Sequence, residues 1–521
     1  MNRWCVVAIL LAFAGALAFR LLKLDTRPYH NDEAVNATKV IDLWQHGRYE
    51  YDPDEYHGPT LHYATLPLLW LSSARTPDDL DDRTLRFVPA AFGAALILLL
   101  FLFADGIPPR ALVWSALFTA ISPAMVFYSR YFIHEVLLVF FTALLLGASW
   151  RYTRRPSPGW AILAGATLGL MFATKETFVI TLAAVAVAAA ATGYRVTPKP
   201  RSMRQLLTIG WGSSDQPASW LHIGLALSAT FLMWLVFFSS FFTNVPGLLD
   251  SIRTYFPWLK RATGHSPHLH PWYFYFQRLA WFHSAKGPIW SEGLILVLAA
   301  VGAIVSLRQK STLLRFLTFY TLLLTAAYCA ISYKTPWCLL SFFYGMILLA
   351  GIGAASLIEC VRSASLKAGV MAILLLLSFQ LALQSWRASF VYSTDRRNPY
   401  VYAQTVPDLL NLVRRVEGIA QVSPEEFNTV VKVIAPADDY WPLPWYLRRF
   451  KNIGWYGQIP ADPFAPIVIA SSQLDARLDE KSGRKWIMAG VSELRPGKFF
   501  ELYVELQLWT NYVESLPSQP D

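Results

Sequence analysis

Along its first three quarters the chain alternates long apolar runs with short polar ones. An apolar run of roughly 18 residues or more can cross the hydrocarbon core of a bilayer as a helix. The pattern predicts eleven spans, at about 4–22, 84–104, 110–128, 132–150, 159–174, 177–193, 219–241, 289–307, 312–331, 337–357 and 367–386. Arg3 ahead of the first run and Ala16-Leu17-Ala18 within it resemble a signal peptide, but the run is long and many spans follow, so it reads as a helix. "LHYATLPLLWL" (61–71) is apolar yet short. It is expected as a non-spanning helix in the membrane interface, with Tyr63 and Trp70 at headgroup level.

The pattern changes in the last quarter. "TVVKVIAP" and "PIVIASS" read as buried strands, and "FFELYVEL" alternates like a half-exposed one. "YAQTVPDLLNLVRRV" and "WPLPWYLRRF" read as amphipathic helices. The expected architecture is therefore an α-helical polytopic membrane protein with a transmembrane domain over 1–387 and a small α/β domain over 388–521. The tail has no G-x-G-x-x-G and no P-loop, so nothing there supports nucleotide binding.

Composition agrees, with 55% of the 521 residues hydrophobic and 15% charged. A soluble chain of this length would carry more charge. The net charge of +10 is not a nucleic-acid footprint, because the cations gather in short loops: Arg151, Arg154 and Arg155; Arg195, Lys199, Arg201 and Arg204; Arg308, Lys310 and Arg315; Arg362 and Lys367. With eleven spans and a cytoplasmic N-terminus, all four loops fall on the cytoplasmic side of the plasma (inner) membrane. Loops 23–83 and 242–288 and the tail then face the extracytoplasmic side. The four cysteines lie in or beside predicted spans and read as buried thiols.

The candidate chemistry collects on that outer side. "RPYHNDEAV" (27–35) places His30, Asp32 and Glu33 just after the first span. A helix following them makes Asn31 or Asp32 a natural N-cap, with Gly47 as its stop. The same loop adds Asp52, Asp54, Glu55, His57 and His62, and span ends bring Arg130, His134, Glu135, Lys175, Glu176 and Lys334 to that level. Membrane-level charges usually line cavities or pair with one another. Cations suit a lipid phosphate and stabilise the charge on a departing one; a carboxylate takes a proton from an incoming nucleophile. Neighbouring helical residues point about 100° apart, so Asp32 reads as the base and Glu33 as its support or a link into the loop. Arg130, Lys175 and Lys334 are the phosphate candidates, with His30, Glu55, His57, Glu135 and Glu176 supporting. His265, His268 and His270 in "GHSPHLHP" are close in sequence, but Pro267 and Pro271 break any helix that would align them on a metal. A solvated turn is expected there.

The Asp-Glu pair after span one, the eleven helices and the outer tail resemble the GT-C glycosyltransferases, among them protein O-mannosyltransferases and aminoarabinose transferases. "HNDEAV", "HGPTLHY", "YSRYFIHE", "ATKETF", "YKTPW" and "DYWPLPWYLRR" resemble most a prokaryotic family of flippase-activity-associated proteins. The resemblance implies transfer of a sugar from a polyprenyl-phosphate donor to a glycan, lipid or protein acceptor. Asp32 stands where such enzymes keep an acidic residue acting as base or metal contact, and Arg130 and Glu135 match a polar pair after a Ser-Pro. "YHGPTL" stands where aminoarabinose transferases carry a Glu-Lys-Pro-Pro-Leu-like motif, His57 replacing its acid and Gly58 its lysine. The resemblance allows a divalent metal ion as cofactor. Two other readings use part of the pattern. A lipid-linked-sugar flippase or transporter usually shows internal repeats and midplane charges, and neither is visible here. A non-catalytic flippase-associated partner would need the same cations.

Overall fold

The computed structural model describes residues 1–54, 57–193, 220–263 and 268–517. Glu55, His265 and the basic stretch holding Arg195, Lys199, Arg201 and Arg204 lie outside the described residues. The chain divides into two compact units, one of Met1–Leu24, Asp42–Pro67 and Arg86–Tyr402, the other of Asp25–Ile41, Leu68–Leu85 and Ala403–Asp521.

The larger unit is a helical bundle, and each of the eleven apolar runs folds as helix, the 110–128 run as a bent pair of helices. Among the described residues, seven helices are long and apolar enough to cross a membrane. Pro109–Ile121 and Pro123–Ser129 make an eighth span if the pair, bent by 55°, is taken as one. Pro123 is the cause of the break, since it cannot donate the next helical bond, and the Ser122 side chain caps the new helix by accepting from the Met125 amide at 3.3 Å. Pro158–Phe172, Phe178–Thr192 and Gly293–Arg308 are apolar but shorter, at 15, 15 and 16 residues. The 61–71 run is a 12-residue helix, Thr60–Leu71, well short of a crossing.

Burial sorts the bundle. The Pro336–Cys360 span has 94% of its apolar window buried and forms the centre, whereas Trp220–Phe238 has 6% and presents its surface outward. Small residues let the central helix approach its neighbours. A side chain on Gly302 would strike the Leu349 carbonyl, and one on Gly353 the Leu298 carbonyl. Apolar helices in lipid associate through such close packing, because lipid tails are as apolar as leucine.

Two arginines solve a problem specific to bent and ending membrane helices, the stranded carbonyls of the last turn. Arg20 is fully buried and donates to Thr119 O at 2.8 Å, Ala120 O at 3.3 Å and Ser129 Oγ at 3.2 Å, closing the end of Pro109–Ile121. Arg130 returns the favour, donating to Arg20 O at 2.7 Å, Leu22 O at 2.6 Å and Lys23 O at 2.8 Å at the end of Arg3–Leu21. Each cation also complements the negative end of a helix dipole.

The smaller unit is built on a five-stranded sheet, β1 (Val431–Ile434), β2 (Ile453–Tyr456), β3 (Ile467–Ser471), β4 (Trp486–Arg495) and β5 (Lys498–Glu505), in the order β2-β1-β3-β5-β4. β1 runs parallel to β2 and β3, and β5 is antiparallel to β3 and β4. Pro496-Gly497 turns β4 into β5, and Gly497 supplies the positive φ of +81° that the turn needs. The three expected strands are β1, β3 and β5. Asp408–Val422 is the first expected helix, while "WPLPWYLRRF" holds only one helical turn, Leu443–Tyr446. That segment instead fastens other pieces of the unit. Tyr29 stacks on Trp445 with centroids 5.2 Å apart, Trp445 Nε1 donates to Asp82 at 2.9 Å, and Arg448 donates to Pro77 O and Leu80 O.

Arg20→Met should strand the carbonyls of Thr119 and Ala120 and cost roughly 1–3 kcal/mol. Thermal unfolding in detergent, against a conservative change on the lipid-facing helix, checks this; an unaltered midpoint would show that the carbonyls find other donors.

Candidate functional site

"HGPT" and "ATKE" are two halves of one arrangement. Residues 57–60 lie against 173–176, the Gly58 amide donating to Thr174 O at 3.2 Å and the Thr60 amide to Ala173 O at 3.1 Å. The Thr60 hydroxyl adds a bond to Thr174 Oγ1 at 2.8 Å. Glycine is required at 58, because a Cβ there would overlap the Ala173 carbonyl. Its own carbonyl accepts from His134 Nε2 at 2.9 Å.

This contact brings His57 to Glu176. His57 Nδ1 meets Glu176 Oε2 at 2.8 Å, and the Tyr51 hydroxyl donates to Glu176 Oε1 at 3.1 Å. The His57 ring stacks on Trp258 with centroids 5.2 Å apart and an interplanar angle of 18°, and meets His134 edge-on at 5.4 Å. His62 lies 5.4 Å from His134 and 4.8 Å from the Tyr49 ring. Burial works to raise the Glu176 carboxyl, but the histidine beside it outweighs that and holds it below its ordinary value.

Lys175 forms a buried ion pair with Glu135, the first residue of the Glu135–Arg154 helix. The sequence pairing of Arg130 with Glu135 is replaced: Glu135 takes Lys175, and Arg130 spends its donors on the carbonyls that end Arg3–Leu21 and stacks over Phe390 at 4.5 Å.

Lys334 is positioned by a short antiparallel contact between 268–270 and 332–334. The His270 amide donates to Ser332 O at 3.0 Å and the Lys334 amide to His268 O at 2.8 Å. The Lys334 ammonium reaches the carbonyls of His270, at 3.1 Å, and Ile331. His268 and His270 are tied to one partner, His268 Nδ1 and His270 Nε2 both meeting the Tyr402 hydroxyl, at 2.7 and 3.1 Å. Arg278, which the sequence reading did not single out, joins this group. Its guanidinium lies 3.5 Å from the centre of the Phe274 ring and donates to Phe274 O at 3.3 Å, and its Nε is buried without a partner among the described residues. The groups acting on Arg278 are the hydroxyls of Tyr128, Tyr402 and Tyr275. Neither cation has a carboxylate partner among the described residues. Burial lowers both below their ordinary values, and burial with the neighbouring cations lowers His270 to about 4. Cys338 links this group to the previous one, lying 3.2 Å from Thr335 and within the electrostatic reach of Lys175 and Glu135.

His30, Asp32 and Glu33 belong to the smaller unit. The helix starts at Asn31, and the capping residue is His30, not Asn31 or Asp32: its Nδ1 accepts from the Asp32 amide at 3.1 Å and its carbonyl from the Ala34 amide at 3.1 Å. Burial lowers the His30 ring below its ordinary value, keeping it a neutral acceptor. Glu33 is fully buried, ion-paired with Arg27 at 3.3 Å and accepting from the His30 amide at 3.0 Å. The Asp32 side chain is 43% exposed, 3.7 Å from His30 Nδ1. Among the described residues, no three His, Cys, Asp or Glu side chains group as metal ligands.

A bundle of this kind with a small sheet unit has the polytopic GT-C membrane fold. ArnT of Cupriavidus metallidurans, in a crystal structure bound to undecaprenyl phosphate, superposes with a TM-score of 0.58 over 95% of this chain and 97% of its own, at 13% identity. The archaeal oligosaccharyltransferase AglB of Archaeoglobus fulgidus, in complex with an inhibitory peptide and a dolichol-phosphate, gives 0.55 over 91% of this chain and 70% of its own, at 12% identity. The profile of the dolichyl-phosphate-mannose-protein mannosyltransferase family matches residues 69–210. No curated protein matches the sequence.

Two outcomes follow. Lys175→Met leaves Glu135 buried and unpaired and should cost roughly 3–5 kcal/mol, most of it recovered when Glu135→Leu is added; thermal unfolding of the three variants measures it. His270 binds its proton less readily folded than unfolded, so the stability it contributes is complete above its ordinary value of 6.5 and is lost as pH falls toward about 4. The unfolding midpoint should fall across that window, and less steeply in His270→Phe.

Proposed function

We propose that the protein is a glycosyltransferase that moves a sugar from a polyprenyl-phosphate-linked donor to an extracytoplasmic acceptor. One observation carries the reading: Lys334 and Arg278 both act on His270, Lys334 held by backbone carbonyls and Arg278 among tyrosine hydroxyls, with no carboxylate partner for either among the described residues. Buried charge without a counter-ion is costly, and a phosphate is the counter-ion that two such cations fit. ArnT and AglB were each solved with a polyprenyl-type phosphate, which supports the same ligand class.

In this reading the acceptor's oxygen or nitrogen attacks the anomeric carbon, and the bond from that carbon to the phosphate oxygen breaks. The leaving phosphate gains a negative charge, which Lys334 and Arg278 stabilise. Lys175 and Arg130, the other cations expected at the phosphate, are instead taken up by Glu135 and by the carbonyls that end Arg3–Leu21. Asp32, the base expected from the sequence, stands on the smaller unit, where Glu33 with Arg27 anchors its turn. The N-terminus and the basic loops are cytoplasmic, and the sheet unit lies outside the plasma membrane.

Lipids extracted from the gently purified protein should include a polyprenyl phosphate or its sugar, depleted in Lys334→Ala and Arg278→Ala; mass spectrometry finding only bulk phospholipid in all three would remove the reading. Asp32→Asn should keep the lipid and lose transfer. Wild-type turnover in that variant would take Asp32 out of the chemistry.

A further inference from the structure

Transfer to a hydroxyl or amine releases one proton, and the inference here rests on the transferase reading. Asp32 is held loosely, half exposed and with one contact at 3.7 Å. The larger unit contains a group held far more firmly. We propose that His57, oriented by Glu176, is the base that takes the acceptor's proton.

The geometry is that of a dyad. An ionised carboxylate only accepts, so Glu176 fixes the proton on Nδ1 of His57 and leaves the Nε2 lone pair outward. Glu176 is itself held by the Tyr51 hydroxyl, so it cannot swing away without losing a second bond. Trp258 supports one face of the imidazole, and the Gly58 approach to Ala173 fixes the backbone that carries it. The His57 side chain is 25% exposed, and Nε2 has no hydrogen-bond partner among the described residues. A purely structural ion pair would gain nothing from leaving that nitrogen open. His62 and His134 differ: His134 gives Nε2 to the Gly58 carbonyl, and both rings are buried.

The step balances. The acceptor's oxygen or nitrogen bonds to the anomeric carbon, polyprenyl phosphate departs with the electron pair of the broken carbon–oxygen bond, and the acceptor's proton passes to His57 Nε2 and then to water. The ionisable groups facing His57 are Glu176 and Lys175 from the 173–177 segment, Glu135 behind Lys175, His134 and His62 from the adjoining segment and helix, and Tyr51.

The test uses the full protein in nanodiscs, polyprenyl-phosphate sugars extracted from native membranes as donors, and membranes lacking the protein as acceptor. Initial rates are followed between about pH 5 and 9. Rate should rise from the acid side and level off. His57→Gln should lower it roughly 10²–10⁴-fold and remove the acid limb, with bound lipid unchanged. Glu176→Gln should keep part of the rate and move the limb to lower pH, because the imidazole loses its anionic partner. If His57→Gln fails to fold, that displacement in Glu176→Gln decides. A wild-type rate and limb in His57→Gln, or an unmoved limb in Glu176→Gln, overturns the dyad and leaves the transferase standing. A wild type that carries the lipid yet transfers nothing overturns the dyad and leaves a binding protein. Loss of both lipid and transfer in the wild type removes the two readings together.

Discussion

Residues 57–60 lie so close to 173–176 that only glycine fits at 58, and much of the polar chemistry in the larger unit depends on that approach. Backbone hydrogen bonds between the two segments leave few donors or acceptors unsatisfied where water is scarce. The same approach sets His57 on Glu176 and places Lys175, one residue away, on Glu135. Had either segment been displaced by one residue, two buried charges would have lost their partners at once. A buried unpaired charge costs several kcal/mol, so the register is strongly determined.

The cations of the bundle divide according to what they answer. Arg20 and Arg130 answer helix ends, and Lys175 answers a carboxylate. Lys334 and Arg278 are answered by carbonyls and hydroxyls, which are weaker partners for a full charge. That difference, more than the number of cations, separates framework from site. Position along a span end cannot make the distinction, since all but Arg278 stand at such ends.

What the sequence displayed follows from this. Apolar runs named the eleven helices and the strands β1, β3 and β5, because burial leaves a periodic record. The polar groups of "HGPT", "ATKE" and "YKTPW" were visible as well, but their partners were not, since Lys175 and Glu135 are forty residues apart and nothing local links them. β2 and β4 escaped notice because their faces are only half buried and their apolar pattern is diluted. Arg278 was hidden in an aromatic stretch, "WYFYFQRLAW"; the signal available was a lone cation among rings with no acid nearby. His30 as cap was obscured by the two better capping residues beside it.

The smaller unit draws on Asp25–Ile41 and Leu68–Leu85 as well as on Ala403–Asp521. Its first pieces leave the ribosome early, and their partners Tyr446, Trp445 and Arg448 follow more than three hundred residues later. At about 5–20 residues per second that interval lasts on the order of 20–80 s. For that time Tyr29 and Asp82 have no finished sheet to fold with, so the turn carrying Asp32 takes its final form only once residues 445–448 have been made.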